Sequence, residues 1–150
     1  MVISAHISFT EATFSKTAEQ FGIRNLPNME ELHNMRRLAE KVFEPLRVHI
    51  GEPIRINSFY RSIELNRKIG GSATSQHCRG QAMDISRQGQ SYTNADLFKY
   101  IRDHLAFDQL IWEFGTAQEP EWVHVSYTDQ NRKQVLRSLI QNGKTIYLNA

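Results

Sequence analysis

Apolar residues recur every three to four positions between residues 28 and 50, and this spacing predicts the longest helix of the chain. Asn28 can cap its start, and Glu31 stands three positions later, which is the capping-box pattern. Pro45 is expected to kink or end this helix. Three shorter helices are predicted: one capped by Ser8, one over "RSIELNRKIGG" that stops at Gly70 and Gly71, and one over "TNADLFKYIRDHL" capped at Thr93 or Asn94.

The other apolar patterns alternate with a period of two, which is typical of strands. "PIRINSF" places Ile54 and Ile56 on one face, and "FDQLIWEFG" and "EWVHVSY" are two further strands joined by the turn-rich "TAQEP". "QVLRSLIQNGKTIYL" contains an Asn-Gly turn between two apolar runs and predicts a β-hairpin. Helices come first and antiparallel strands follow, so we expect an α+β fold.

Composition agrees with one globular domain over residues 1–150, since this length supports a single sizeable core. Hydrophobic residues make up 40% and charged residues 23%, and the formal net charge is +2. The basic residues are scattered rather than clustered, which argues against nucleic acid as a partner. The single cysteine excludes an internal disulfide.

The N-terminal sequence "MVISAHISFTEATFSK" lacks the basic region and apolar run of a signal peptide, and no run of eighteen apolar residues occurs. We therefore expect a protein made in the cytoplasm that does not insert into a membrane. Any target outside the cell must be reached in another way.

The segment "SQHCRGQAMDI" gathers metal-capable groups around a turn and matches neither a helix nor a strand pattern cleanly. Gly80 can turn the chain between His77 and Asp84, and Ala82 and Asp84 then share one face of a following strand. Cys78 is a poor partner for His77 on one metal, because adjacent residues project apart.

A third ligand is sought among the other histidines. His124 stands out because it lies inside the apolar strand "WVHVSY", whereas the rest fit surface or helix-boundary positions: His6, His33, His49 and His104. His77, Asp84 and His124 would provide two imidazoles and a carboxylate, a set that zinc accepts with one position open. A lone strand histidine is more often structural, so spacing alone leaves both interpretations open.

The motif "SQHCRGQAMD" resembles the Ser-x-His-x6-Asp pattern of the zinc D-Ala-D-Ala peptidases, which share a fold with Hedgehog signalling domains. "INSFYRS" before it and "WVHVSY" after it resemble the flanking motifs of that family in the same order. The resemblance covers residues 54–127. It implies helices packed on a small, mainly antiparallel sheet and one zinc ion bound by His77, Asp84 and His124.

Two glutamates compete for the role of general base, which must take a proton from water and pass it to the leaving amine. Glu121 stands three residues before His124, as in related dipeptidases, but residues three apart in a regular strand face opposite sides. Glu113 ends the preceding strand, as a glutamate does in Hedgehog domains, and a hairpin can bring it beside His124. We favour Glu113.

Arg61 matches the Tyr-Arg arginine that contacts substrate and stabilises the oxyanion in the resembling enzymes, a role that suits the guanidinium fork. Ser75 is expected to support the turn or to be solvated in a loop. Trp122 and Tyr60 fit either the wall of a cleft or the core.

The resemblance implies a monomeric zinc metallopeptidase that cleaves amide bonds in peptidoglycan stem peptides, as a D,D-carboxypeptidase or an endopeptidase. With no signal peptide, a phage or prophage lysis enzyme that reaches the bacterial cell wall after release is expected. Two alternatives remain: a Hedgehog-like domain that binds zinc without turnover, and a phage structural module on the same fold.

Overall fold

The computed structural model describes residues 1–150. Its α-helices are α1 (Phe9–Thr13), α2 (Lys16–Phe21), α3 (Met29–Leu38), α4 (Glu44–Ile50), α5 (Ile63–Lys68) and α6 (Asn94–His104). Its strands are β1 (Val2–Ser4), β2 (Ile7–Ser8), β3 (Ile54–Ser58), β4 (Ala82–Arg87), β5 (Gln109–Glu113), β6 (Trp122–Ser126), β7 (Gln134–Gln141) and β8 (Lys144–Asn149). The α+β class predicted from the sequence is confirmed.

The predicted caps start the helices. The Ser8 hydroxyl accepts a hydrogen bond from the Glu11 amide at α1, and Asn28 and Glu31 form a complete capping box at α3. Thr93, rather than Asn94, caps α6. These short polar side chains satisfy backbone N–H groups that have no partner within the helix.

Pro45 was predicted either to kink the long helix or to end it, and the helix does not end there. A π-helical segment, Ala39–Phe43, follows α3 directly, and α4 continues from it with Pro45 in its first turn. Proline lacks an N–H and its ring crowds the carbonyl four residues earlier, and a local π-turn is one way in which a helix adjusts its hydrogen-bond ladder. The helical path therefore runs on to Ile50.

Six strands form one sheet in the order β3-β4-β6-β5-β7-β8. Only β5 and β7 pair in parallel, and the other neighbours are antiparallel. The predicted C-terminal hairpin is confirmed as β7 and β8, with Asn142 and Gly143 both at positive φ in its turn. β1 and β2 pair separately, and the sequence patterns did not predict them.

The two faces of the sheet differ in chemistry because successive residues of a strand point to opposite sides. On one face, apolar side chains join the core, where α6 contacts the central strands: Met83, Ile85, Leu110, Trp112, Val123 and Val125. The other face carries Asp84, Glu113 and His124 and lines an open cleft. No helix in the structure is long and apolar enough to cross a membrane.

Candidate metal centre and cleft

Asp84 and His124 meet because β4 and β6 pair in antiparallel register with these two residues directly opposite each other. Side chains opposite each other in such a pair share one face of the sheet. His124 Nδ1 lies 2.9 Å from Asp84 Oδ1. The register of the sheet, which the linear sequence does not state, therefore brings two of the three candidate ligands together.

His77 reaches the same point from a 3₁₀ turn, Gln76–Arg79, that precedes β4. The Ser75 hydroxyl caps this turn by accepting the His77 amide, and Gly80 ends it in the left-handed region at φ 71°. A Cβ atom on Gly80 would lie 2.3 Å from the Glu31 carbonyl oxygen of α3. Glycine is required here both for its backbone conformation and for this close approach.

One ring nitrogen of His77 is already engaged by the backbone. Nδ1 lies 2.8 Å from the Phe59 carbonyl oxygen, and a carbonyl can only accept, so Nδ1 carries the proton in this bond. Nε2 then faces Asp84 Oδ2 at 3.3 Å. Histidine ligands of metals are commonly oriented by such a hydrogen bond from the other ring nitrogen.

The donor set fits a divalent metal. One ligand atom from each of His77, Asp84 and His124 lies within 4.8 Å of the other two. Burial alone would raise the pKa of Asp84, but the two histidines outweigh it and hold the pKa well below its ordinary value. The carboxylate is therefore an anionic ligand, and it faces Nε2 of His77, the ring nitrogen that the Phe59 carbonyl leaves free.

Glu113 lies on the same face as this centre, and Glu121 does not reach it. Glu113 pairs with Trp122 across β5 and β6, while Ile111, two residues earlier, pairs with His124. Glu113 is 7% exposed and lines the cleft. Glu121 precedes β6, is exposed, and lines a neighbouring pocket instead.

Sequence analysis missed two residues of the C-terminal hairpin that face the cleft. Ser138 pairs with Glu113 on one side and Tyr147 on the other, so the three form a row across the sheet. The Ser138 hydroxyl donates to Glu113 Oε2 at 2.5 Å. Burial raises the pKa of Glu113, and the Ser138 hydrogen bond opposes this rise. No motif signals these residues, since their position depends on the parallel pairing of β5 with β7.

The Tyr147 phenol stands close enough to the buried carboxylates to respond to their charge. Burial raises the pKa of Tyr147, and the negative charges of Glu113 and Asp84 raise it further. Tyr147 therefore remains a neutral hydrogen-bond donor at the cleft.

Arg61 enters the cleft from the segment between β3 and α5. Its backbone N–H donates to the His77 carbonyl at 3.2 Å, and its Nη1 donates to Asn66 Oδ1 at 3.0 Å. Asn66 in turn donates to the Ser72 carbonyl at 2.8 Å, so the same amide holds the loop that follows α5. A Cβ on Gly71 would lie 2.0 Å from Asn66 Oδ1, which leaves room for glycine alone.

The cleft has a volume of about 800 Å³ and its lining is largely polar. Arg61 and Arg79 both line it, and neither guanidinium forms an ion pair with a carboxylate. Trp122 lines the wall, whereas Tyr60 is buried in the core. Cys78 is half-buried, burial raises the pKa of its thiol, and its sulfur does not lie among the grouped ligand atoms.

The fold and this site define a class: an α+β metal-dependent hydrolase with two imidazoles, two carboxylates and an arginine in one cleft. A family model described as Peptidase M15 matches residues 5–126, which is most of the chain. The chain belongs to the peptidase M15 family and is a metallopeptidase. This confirms the resemblance predicted from the three motifs. A search of curated proteins found no match.

Proposed function

We propose that this peptidase hydrolyses amide bonds in peptidoglycan stem peptides, as a D,D-carboxypeptidase or an endopeptidase, with one zinc ion held by His77, Asp84 and His124. The convergence of these three side chains with buried Glu113 in a single cleft is the observation that carries the proposal. Zinc, when bound, supplies Lewis acidity toward a carbonyl and toward water.

Glu113 is the proposed general base and acid. A carboxylate whose pKa is raised by burial is better matched to neutral pH than an ordinary glutamate, both for accepting a proton from water and for returning it. The Ser138 hydroxyl holds Oε2, so Oε1 is the oxygen left to handle that proton. After the amide bond breaks, the same proton passes from Oε1 to the leaving amine.

Arg61 is proposed to stabilise the negative charge that develops on the scissile carbonyl oxygen, and its bond to Asn66 fixes one arm of the guanidinium. Arg79 adds a second unpaired positive charge along the cleft. Stem peptides carry free carboxylates, so two unpaired guanidinium groups support a substrate of this chemistry.

In cells we propose that residues 1–150 act as one peptidase domain, as a monomer, on the bacterial cell wall after release, in a phage or prophage lysis role. The test is turbidity of bacteria whose walls are accessible, measured after the purified protein is added. Clearing by the wild type, and not by Glu113→Gln, is the expected result. Wall digestion without clearing would contradict the lysis role and leave the peptidase activity intact.

The biochemical test uses purified peptidoglycan, with products identified by mass spectrometry. We expect release of D-Ala or of peptide fragments, loss of products with chelator, and recovery on adding zinc. Metal binding without any product would overturn the enzymatic proposal in favour of a Hedgehog-like binding domain. Neither metal binding nor product would favour a structural module.

A further inference from the structure

A second concave surface adjoins the cleft at the end of β5 and β6 where residues 114–121 connect the two strands. This side pocket has a volume of about 570 Å³ and is lined by Phe114, Gly115, Glu121, Trp122, Leu139 and Ile140. Phe114 and Trp122 also line the cleft, so the two spaces are continuous. Whatever lies in the cleft can extend into the side pocket.

Phe114, one of the two aromatic residues shared by the cleft and the side pocket, has a strained backbone conformation. Phe114 has φ 54°, a left-handed conformation that costs a residue with a side chain on the order of 1 kcal/mol or more. Its N–H donates to both the carbonyl and the hydroxyl oxygen of Ser138, at 3.1 and 3.2 Å. Its ring lies 5.4 Å from that of Trp122, centroid to centroid. The chain thus keeps phenylalanine where glycine would be unstrained, and the ring forms the boundary between cleft and pocket.

The walls of the side pocket are apolar apart from one carboxylate. Ile140 on this wall is 59% exposed, so its side chain is available for contact. The backbone N–H of Glu121 donates to the Glu113 carbonyl at 2.9 Å, and this bond holds Glu121 at the rim. Asn94 donates to the backbone carbonyl of Glu121, whereas the Glu121 carboxylate accepts no hydrogen bond and forms no ion pair, and no cationic residue lines the pocket. An apolar concave surface that includes one free carboxylate complements a long aliphatic side chain with a terminal amine.

We propose that the side pocket binds the diamino residue of the substrate, with its methylene chain on Phe114 and Trp122 and its ammonium group at Glu121. This inference rests on the proposed function and specifies which part of a stem peptide is recognised. The aromatic faces add attraction for the ammonium group to that of the carboxylate.

The distance along the sheet agrees with such an occupant. Trp122 and His124 are two residues apart on β6 and so face the same side, roughly 7 Å from each other along the strand. An extended peptide rises about 3.3 Å per residue. The bound diamino residue is therefore one or two positions from the bond that is cut.

The test compares two synthetic pentapeptides, L-Ala-D-γ-Glu-L-Lys-D-Ala-D-Ala with the lysine amine either free or acetylated. For the wild type we expect kcat/KM about tenfold higher for the free amine. Glu121→Gln should remove this preference by raising KM for the free-amine peptide, so that kcat/KM becomes equal for the two peptides. Glu30→Gln is the matched control, since it removes the same charge from an exposed position on α3.

A binding measurement separates this inference from the proposed function. Calorimetric titration of each pentapeptide into Glu113→Gln protein reports affinity without turnover, and tighter binding of the free amine that depends on Glu121 supports the side pocket even if neither peptide is ever cleaved. Cleavage or binding of both peptides with equal efficiency would overturn the inference and leave the peptidase proposal standing. A loss of kcat for both peptides in Glu121→Gln would overturn it as well, because Glu121 would then act on the reaction itself.

Discussion

At the scale of single residues, three side chains of the cleft each use one polar atom in a hydrogen bond to a neighbouring group of the protein. His77 gives Nδ1 to the Phe59 carbonyl, Glu113 gives Oε2 to Ser138, and Arg61 gives Nη1 to Asn66. Each side chain therefore enters the cleft with one fixed orientation. Such preorganisation reduces the cost of ordering the groups when a substrate binds.

Removing either imidazole should remove the metal. We expect close to one zinc per molecule in the wild type, and loss of most of it in His77→Ala and in His124→Ala, because two remaining ligands bind zinc far more weakly than three. Metal analysis of purified protein measures this. His104→Ala, which alters a histidine beside Tyr100 away from the cleft, should keep full occupancy. Full zinc content in both cleft variants would show that the metal is bound elsewhere.

Glu113→Gln should keep zinc and lower kcat by about a hundredfold or more, the scale of general acid–base catalysis. The amide keeps the size of the side chain and its ability to accept from Ser138, but it cannot take up a proton at neutral pH. Rate and metal assays on the same preparation measure both effects. If Glu121→Gln lowered kcat more than Glu113→Gln, the assignment of the base to β5 would be wrong.

Arg61→Ala should lower kcat/KM by about a hundred- to a thousandfold, since a donor aimed at a developing oxyanion is worth roughly 3–4 kcal/mol. Zinc content should stay unchanged, because the contact of Arg61 with His77 is made by the backbone. Arg61→Lys keeps the charge without the planar fork and should recover only part of the rate. Wild-type rates in Arg61→Ala would remove this residue from the mechanism.

At the scale of elements, β7 and β8 form part of the site although they lie beyond residues 5–126, which the family model matches. β7 pairs in parallel with β5, and this places Ser138 directly beside Glu113. The buried Ser138 hydroxyl accepts from the Phe114 amide, so its own proton points to Glu113. The hairpin thus orients the proposed base and opposes the rise in its pKa that burial causes.

Ser138→Ala should move the acid limb of the kcat/KM profile to higher pH. The lost hydrogen bond favours the charged form of Glu113, so without it the pKa of Glu113 rises further and the base is ionised only at higher pH. The free energy of unfolding should fall by about 1–3 kcal/mol, because a buried carboxylate loses a donor. A pH–rate profile measures the shift. Ser126→Ala alters another fully buried serine of the sheet and should leave the acid limb of the kcat/KM profile unchanged. An identical shift in that variant would show that loss of any buried serine hydroxyl in the sheet moves the limb.

At the scale of the whole molecule, Asp108 ties three distant parts of the cleft wall together. Its carboxylate accepts from Gln76, next to His77, and from the backbone and guanidinium of Arg132, ahead of β7. Hydrogen bonds from Arg132 and Gln76 lower the pKa of Asp108 to about 2, against the effect of burial. The buried charge of Asp108 therefore connects the 3₁₀ turn that contains His77 to the segment that leads into the β7–β8 hairpin.

Asp108→Asn should lower the free energy of unfolding at pH 7 by about 1–3 kcal/mol, the range for hydrogen bonds to a buried charged group. The pKa of an unfolded aspartate is about 3.9, so the contribution of Asp108 is fully present above that pH and is lost as the pH falls toward 2. Denaturant titrations at several pH values measure it. Wild type and variant should converge in stability between about pH 4 and pH 2, and a constant difference over that range would contradict the role of the charge. Asp103→Asn, at an exposed pair with Arg102, should change stability little.

Much of the local structure follows from the sequence alone, because caps, apolar periods and turns act over a few residues. Asn28, Thr93 and the Asn142-Gly143 turn predict element boundaries that the structure confirms. The three ordered motifs also predict the family, and the family model that matches residues 5–126 confirms it. At Pro45 the sequence left open whether the helix kinks or ends, and the structure shows that the helical path continues through a π-helical segment.

Only the tertiary structure decided how these residues meet. The opposition of Asp84 and His124 depends on the register of β4 and β6, and the contact of Ser138 with Glu113 depends on a parallel pairing across 25 residues of chain. Such pairings are set by packing of the whole sheet against the helices, and a pattern that repeats every two residues cannot specify its partner strand. For the same reason the sequence left Glu113 and Glu121 as alternatives, whereas the pairing of β5 with β6 puts Glu113 in the cleft and leaves Glu121 at the rim of the side pocket.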